Sequence, residues 1–411
     1  MSQAPPGTRG GWSVQTRREW LAHCGAMLAL GGPTRPSIAG DPLEPIVVSP
    51  DGLRLERGGS RREFRPWGFN YDHDTQGRLL EDYWHDEWPL VERDFARMRH
   101  LGANLVRVHL QFGRFCPRPG EVSQRELDQL QRLVDLAERE RLYLDLTGLG
   151  CYHQADVPPW YNDLAERERW RAQGVFWRAI AERVHRSPAI FCYDLMNEPV
   201  VSGGPRAAGD WLGPPFAGKH FVQFVSLDPA GRRRSEVAKA WIDTLLTEIR
   251  AIDRRHLVTV GLVDWSLDRP GLTSGFIPSE ACAALDFLAV HLYPERGKPE
   301  AARETLRLFQ LAGKPVLIEE TFPLKVAGAE FAEFLDHCEQ SGVGLLGFFW
   351  GQTPAELTPP RTVAEALLKE WLETFVSRPI RANEWPARLW TGCSSREGSS
   401  RRRGIGGAGE K

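Results

Sequence analysis

The chain has no apolar run of the ~18 residues needed to cross a bilayer as a helix, so nothing in its 411 residues reads as a membrane span. It also lacks an excess of charge of either sign. A formal balance of −2 gives no electrostatic case for nucleic acid or an acidic membrane surface as partner. Cysteine is sparse: seven residues, none in CxxC or CxxH spacing, which supplies no zinc site. Their scatter, with Cys192 inside an apolar run, points to buried thiols rather than a disulfide framework. The histidines form no HxH pair, so a metal-dependent barrel hydrolase lacks its ligand cluster. Tryptophan, by contrast, is abundant at 15 residues. Sugar-binding clefts use aromatic faces, although core burial accounts for an average Trp such as Trp84, Trp88, Trp160, Trp211 or Trp265.

The two ends read differently from the middle. Thr16-Arg17-Arg18-Glu19-Trp20-Leu21, an apolar stretch from Ala22 to Gly32 and the small residues Ser37-Ile38-Ala39-Gly40 resemble a twin-arginine export signal over residues 1–40. Such a signal implies a periplasmic or extracellular protein; a disordered extension of a cytoplasmic protein is the alternative. Residues 386–411 form a Gly/Ser/Arg-rich tail expected to be disordered, with Arg401-Arg402-Arg403 as solvated charge. That leaves residues 41–385 as one domain.

Within it, short apolar strands alternate with amphipathic helices. Ile46-Val47-Val48, Gly52 and Leu53-Arg54-Leu55 predict a hairpin ahead of the main fold. Eight strands are then expected at Phe64–Asn70, Asn104–Leu110, Leu142–Thr147, Ile190–Met196, Leu257–Val263, Phe287–Leu292, Val316–Glu320 and Gly344–Trp350. Helical stripes fill the gaps. Ser123 and Glu126 predict a capping box at the head of one helix, and a short helix is expected near Pro278–Leu285. Eight near-continuous apolar strands, each followed by a helix, predict an α/β fold: a single (β/α)8 TIM barrel with an N-terminal β-hairpin. The open doubly wound alternative usually carries a Gly-rich phosphate turn after its first strand, and Trp67-Gly68-Phe69-Asn70 is not one.

In such barrels the chemistry sits at the C-terminal ends of the strands. Asn197-Glu198-Pro199 ends the fourth strand and Glu319-Glu320 the seventh, so each delivers a carboxylate there. Paired carboxylates are the working parts of a retaining glycosidase, one a general acid/base and the other a nucleophile. Strand alternation puts Arg107 and His109 on one face, and likewise His291 and Tyr293. On the seventh strand, Val316, Ile318 and Glu320 share one face and Glu319 points the other way; register sets which face meets the lumen, and Glu320, as the last residue of the apolar run, is expected there with Glu319 against the helical layer.

These strings, with Asn104-Leu105-Val106-Arg107, His291-Leu292-Tyr293, Lys314 to Glu320 and Phe349-Trp350 in barrel order, resemble glycoside hydrolase family 5 over residues 46–375. The resemblance implies Glu198 as acid/base with a raised pKa and Glu320 as an ionised nucleophile held by Arg107 and Tyr293. It implies Asn197 on the sugar 2-hydroxyl, His291 orienting the acid/base or binding the sugar, and Trp350 as a stacking floor. It further implies an oligo- or polysaccharide substrate of the β-glucan or β-mannan type and no cofactor or metal. Two departures stand out. The family's second histidine near the end of the third strand is missing, with His153 as the candidate replacement. Thr321-Phe322-Pro323 follows the nucleophile where the family usually has Gly. A barrel that binds glycans without cleaving them, or one that transglycosylates, is the alternative; the former would lack one of the two carboxylates.

Overall fold

The computed structural model describes residues 42–269, 272–348 and 350–378; the export-signal and tail expectations lie outside them. The hairpin comes first, β1 (Ile46–Val48) pairing antiparallel with β2 (Leu55–Arg57). Its second strand starts later than expected because residues 49–54 form the turn, which Ser49 N–H closes on the Arg54 carbonyl. Four barrel strands follow: β3 (Trp67–Tyr71), β4 (Leu105–Gln111), β5 (Tyr143–Gly150) and β6 (Ile190–Asn197). A small parallel pair, β7 (Pro199–Val201) and β8 (Gln223–Ser226), interrupts them. The remaining barrel strands are β9 (Leu257–Val263), β10 (Leu288–His291), β11 (Val316–Thr321) and β12 (Gly344–Gly347). All eight expected strands pair in parallel and close as a barrel in sequence order, β12 meeting β3. The fold is a (β/α)8 TIM barrel.

Among the described residues, seven helices of twelve residues or more wrap the strands: Trp88–His100, Gln124–Glu140, Glu166–Val184, Arg234–Arg250, Pro299–Gln310, Gly328–Gln340 and Val363–Val376. The expected helix at 278–285 is a run of turns instead, closed by Ala281 N–H on the Ile277 carbonyl. The capping box is half formed. Ser123 Oγ accepts from Glu126 N–H at 3.4 Å, but the Glu126 carboxylate turns away to Trp84 Nε1 and His85. A buried indole N–H competes well for that charge, and it ties the loop after β3 to this helix.

Two apolar clusters divide the interior. The larger lies between strands and helices and holds Phe69, Leu130, Trp177, Trp241 and their neighbours. The smaller fills the lower barrel with Leu105, Tyr143, Cys192, Leu257, Ala289, Leu317 and Leu346, and the hairpin plugs it with Ile46 and Leu55. The upper lumen is polar. An apolar floor under a polar layer fixes which end of the barrel is functional: the hairpin seals one end, so the chemistry opens at the other. Cys116, Cys151, Cys192, Cys282 and Cys338 are buried free thiols, as the spacing implied.

Strand pairing slips at the C-terminal ends of β4, β6, β10 and β11. Each slip inserts or omits a residue near the polar layer and re-aims the side chains beyond it. On β11 the effect is large. Val290 pairs with Ile318 but His291 pairs with Glu320, so Glu319 is the extra residue.

Candidate active site

Arg107 is the hub. It comes from the middle of β4, has no exposed surface, and reaches five groups on three other strands. Nη1 donates to Glu320 Oε1 at 2.5 Å and Asn70 Oδ1 at 3.0 Å. Nη2 donates to Asp194 Oδ2 at 2.7 Å and Asn197 Oδ1 at 3.0 Å, and lies 3.3 Å from Glu319 Oε2. Burial opposes its charge, but Glu319, Asp194 and Glu320 outweigh that and push the guanidinium well above its ordinary value. It is a fixed cation.

The expected pair is present. Glu320 ends β11, with Tyr293 Oη donating to its Oε2 at 2.6 Å. Glu198 follows β6 in the left-handed region, at φ +46°. That conformation is uncommon for a residue other than glycine and costs on the order of 1–3 kcal/mol. Here Glu198 N–H is anchored on the Gly261 carbonyl at 2.9 Å. His291 joins the two carboxyls, with Nδ1 2.9 Å from Glu198 Oε1 and 3.5 Å from Glu320 Oε2. An oxygen of Glu198 and one of Glu320 lie within 4.8 Å.

Burial alone would lower the His291 pKa. Glu320, Glu198 and Glu319 together reverse this and lift the imidazole to about 10, so it is charged at neutral pH. Burial pushes the Glu320 carboxyl above its ordinary value, against the pull of His291, Arg107 and the Tyr293 hydroxyl. Tyr293 itself is pushed well above 10 by burial and by Glu320, and remains a neutral donor. Tyr293→Phe removes a charge-assisted bond worth about 1.5–3 kcal/mol. That bond favours the ionised carboxylate, so its loss raises the Glu320 pKa. The acid limb of the kcat/KM profile is expected to move to higher pH, with activity at pH 5 falling more than at pH 8. An unmoved limb would mean that the Tyr293 bond does not set the charge on Glu320.

Three expectations need correction. Glu319 does not face the helices. The extra residue in β11 turns it into the lumen, where Oε2 meets Arg107 and His291 Nε2 at 3.2 Å. His153 is not at the pair; it is partly exposed, 3.6 Å from Asp156. Its neighbour Tyr152 points inward instead, with Oη 2.5 Å from His109 Nδ1. Trp350 is 1% exposed and packs edge-on against Phe69 at 5.2 Å, on the outward face of β3. It is core, not floor. Trp84, Trp88 and Trp211 are likewise buried.

The aromatics at the mouth are others. Phe348, whose N–H bonds the Thr321 carbonyl beside Glu320, lies 6.1 Å from His73 and 6.2 Å from Phe221. Phe221 in turn packs on Tyr152 at 5.0 Å, and its carbonyl accepts from Asn197 Nδ2 at 3.1 Å. The long segment after Glu198 thus reaches back over the site. Phe348→Ala is expected to raise KM about tenfold with little change in kcat, as one aromatic contact is worth ~1 kcal/mol or more. An unaltered KM would show that the ring meets no substrate.

Among the described residues, two triads bring carboxylates close enough to hold an ion: Glu198, His291 and Glu320, and below them Asp145, Asp194 and Glu319. In the first, both imidazole nitrogens already face carboxylates, so His291 acts as a donor and not as a ligand.

A closed parallel barrel with two cation-clamped carboxyls at the C-terminal ends of its fourth and seventh strands defines a glycoside hydrolase. The chain belongs to glycosyl hydrolase family 5, whose cellulase model matches residues 70–353. It is 25% identical over 221 residues to mannan endo-1,4-beta-mannosidase A of Podospora anserina, spanning 47% of this chain and 50% of that one. A probable enzyme of the same name from Aspergillus terreus is 27% identical over 226 residues, with 47% and 50% covered. The chain thus spans about half the length of these curated relatives. Among solved structures, the exo-beta-1,4-mannosidase from Opitutaceae bacterium strain TAV5 superposes with a TM-score of 0.61 at 19% identity, over 82% of this chain and 63% of that one. A beta-glucanase from Saccharophagus degradans gives 0.52 at 17% identity, over 84% and 95%.

Proposed function

We propose that this protein is a retaining β-glycosidase acting on a β-mannan-type glycan, with Glu198 as acid/base and Glu320 as nucleophile. The observation that carries the reading is the approach of a Glu198 oxygen to within 4.8 Å of a Glu320 oxygen. Retaining pairs stand about 5–5.5 Å apart, whereas inverting pairs need about 6.5–9.5 Å to admit a water between them. Glu320 attacks the anomeric carbon while Glu198 gives its proton to the departing oxygen. Water then attacks the same carbon, losing a proton to Glu198 and releasing Glu320. Arg107 and Tyr293 keep the nucleophile aimed and charged; Asn197 is assigned the sugar 2-hydroxyl, a contact that strengthens as positive charge develops.

β-Mannan is preferred over β-glucan because the curated relatives above carry mannosidase names. The twin-arginine-like segment before residue 41 is read as an export address, which brings the enzyme to polysaccharide outside the cytoplasm. The test is proton NMR of the first-formed product from β-mannan, β-glucan, xylan and aryl β-glycosides. A β-anomer appearing first, most rapidly from mannan, supports the proposal. An α-anomer first would overturn retention, and no release from mannan would overturn the substrate.

A further inference from the structure

Below the two catalytic carboxyls, three more carboxyl groups share the lumen with one arginine. Asp145 lies beside Arg107 in the pairing of β5 with β4. Oxygens of Asp145, Asp194 and Glu319 lie within 4.8 Å of one another, and none of the three residues has exposed surface. Donors are unevenly shared. Asp194 accepts from Arg107, from Thr147 Oγ1 at 2.7 Å and from Gly261 N–H at 2.7 Å. Glu319 Oε2 faces Arg107 and His291. Glu319 Oε1 and both oxygens of Asp145 are buried and meet no nitrogen or hydroxyl donor, the weak thiol of Cys192 beside Asp145 being the nearest substitute.

Buried carboxyl oxygens without a donor are costly, and two carboxylates facing each other in a low-dielectric interior do not both ionise. The missing donor is therefore a proton carried by one of the pair. Charge decides which. Glu319 sits against two cations, Arg107 and His291. Asp145 is flanked by Asp194, Glu319 and the Cys192 thiol, with Arg107 the cation nearest it.

We propose that Asp145 is a protonated acid whose O–H donates to Glu319 Oε1, and that this pair positions Arg107 and His291, the cations that hold Glu320 and Glu198. Asp145 is then a positioning residue. The single charge on Glu319 is shared between Arg107 on one side and His291 on the other. A second charge on Asp145 would compete with Glu320 for Arg107 and draw the guanidinium down the barrel. The electrostatics agree in direction: burial, Glu319 and Asp194 push Asp145 well up, while Arg107 and His291 outweigh burial and hold Glu319 down. The positioning half rests on the catalytic reading of Glu198 and Glu320; the protonation half does not.

Infrared spectroscopy of the whole protein at pH 8 separates the two. Asp194, pushed up to about 6, is ionised there, and a Glu198→Gln background removes the acid/base from the spectrum. Glu81, which burial pushes up to about 8, contributes equally to both proteins and cancels in their difference spectrum; the carbonyl stretch of a further protonated buried acid is expected in this background and is expected to vanish on adding Asp145→Asn. Its absence from the parent, its persistence in the variant, or a melting temperature that rises with sodium or calcium in place of the band would each overturn the shared proton. This readout needs no activity, so it stands even if the substrate is misassigned.

Kinetics on the unaltered background test the positioning. Asp145→Asn keeps a neutral donor toward Glu319 and is expected to hold kcat/KM within about threefold. Asp145→Leu removes that donor at similar volume. It is expected to lose roughly tenfold or more, with the acid limb at higher pH, as a hydrogen bond to a buried charge is lost. Equal kinetics in the two variants, at equal melting temperatures, would overturn the positioning role.

Discussion

Glu320→Gln is expected to lower kcat/KM by on the order of 10⁴-fold or more, the scale seen when a covalent nucleophile is removed. The amide is nearly isosteric: its oxygen still accepts from Arg107 and its NH2 donates to the Tyr293 hydroxyl oxygen, so the fold and its melting temperature should hardly change. Glu319→Gln is the necessary companion, because both carboxyls enter the lumen and both touch Arg107. Their depth separates them. The Glu320 side chain keeps 7% of its surface exposed and lies with Glu198 and His291, whereas Glu319 is sealed with Asp145 and Asp194. Only Glu320 is open to a molecule entering from the mouth. Glu319→Gln is expected to be impaired but active, since it weakens the hold on Arg107 and His291 without removing the attacking oxygen. Steady-state rates on the best substrate of the panel decide the matter. An active Glu320→Gln beside a dead Glu319→Gln would exchange the two roles.

That ambiguity marks where the sequence stops being informative. The sequence points to Arg107, Glu198, His291 and Glu320 together, because the last three are polar groups closing apolar runs and Arg107 is a charge set within one, and the structure brings all four into contact. Periodicity assumes an unbroken strand. The slip between Val290/Ile318 and His291/Glu320 breaks it by one residue and turns Glu319 from the helical layer to the lumen. No residue in Leu317-Ile318-Glu319-Glu320-Thr321 announces a bulge, since no glycine is needed for one here. Extra residues at the ends of β5 and β6 break the alternation there in the same way.

The aromatic errors have a related cause. Trp350 reads as a platform because it closes a strand, but the chain leaves the barrel at Gly347, and Trp350 turns back onto Phe69 to complete the outer core. Phe348, which the sequence did not single out, stays at the mouth. His153 and Tyr152 are adjacent, so a displacement of one residue past the end of β5 exchanges them, and only Tyr152 finds an inward partner in His109. The missing helix near 278–285 contains Pro278 and four alanine or cysteine positions with no continuous stripe, and its backbone closes into turns. Local pattern thus specified which strands carry chemistry, and tertiary register specified which atom of each strand arrives.

Gly261→Ala tests that register at a residue with no side chain of its own. A methyl group there would stand 2.8 Å from Arg107 Nη2, 3.0 Å from His291 Nε2 and 3.1 Å from Glu319 Oε2. None of the three has anywhere to go. Arg107 Nη2 is held by Asp194 and Asn197, and His291 is held between Glu198 and Glu319. Moving the strand outward instead would carry the Gly261 carbonyl away from Glu198 N–H and relax the left-handed turn that aims the acid/base. Either response shifts a catalytic carboxyl or its cation by a fraction of an ångström to an ångström, which is worth about 100-fold in rate. The expected outcome is a loss of that order, carried by kcat more than KM, with a stability cost of about 1–3 kcal/mol from overpacking. Thermal melts and steady-state kinetics on the same preparation read both. Near-normal kcat in a folded Gly261→Ala would mean that the cations have room the structure does not give them, and with it the tight coupling between Arg107, His291 and the two carboxyls would fall.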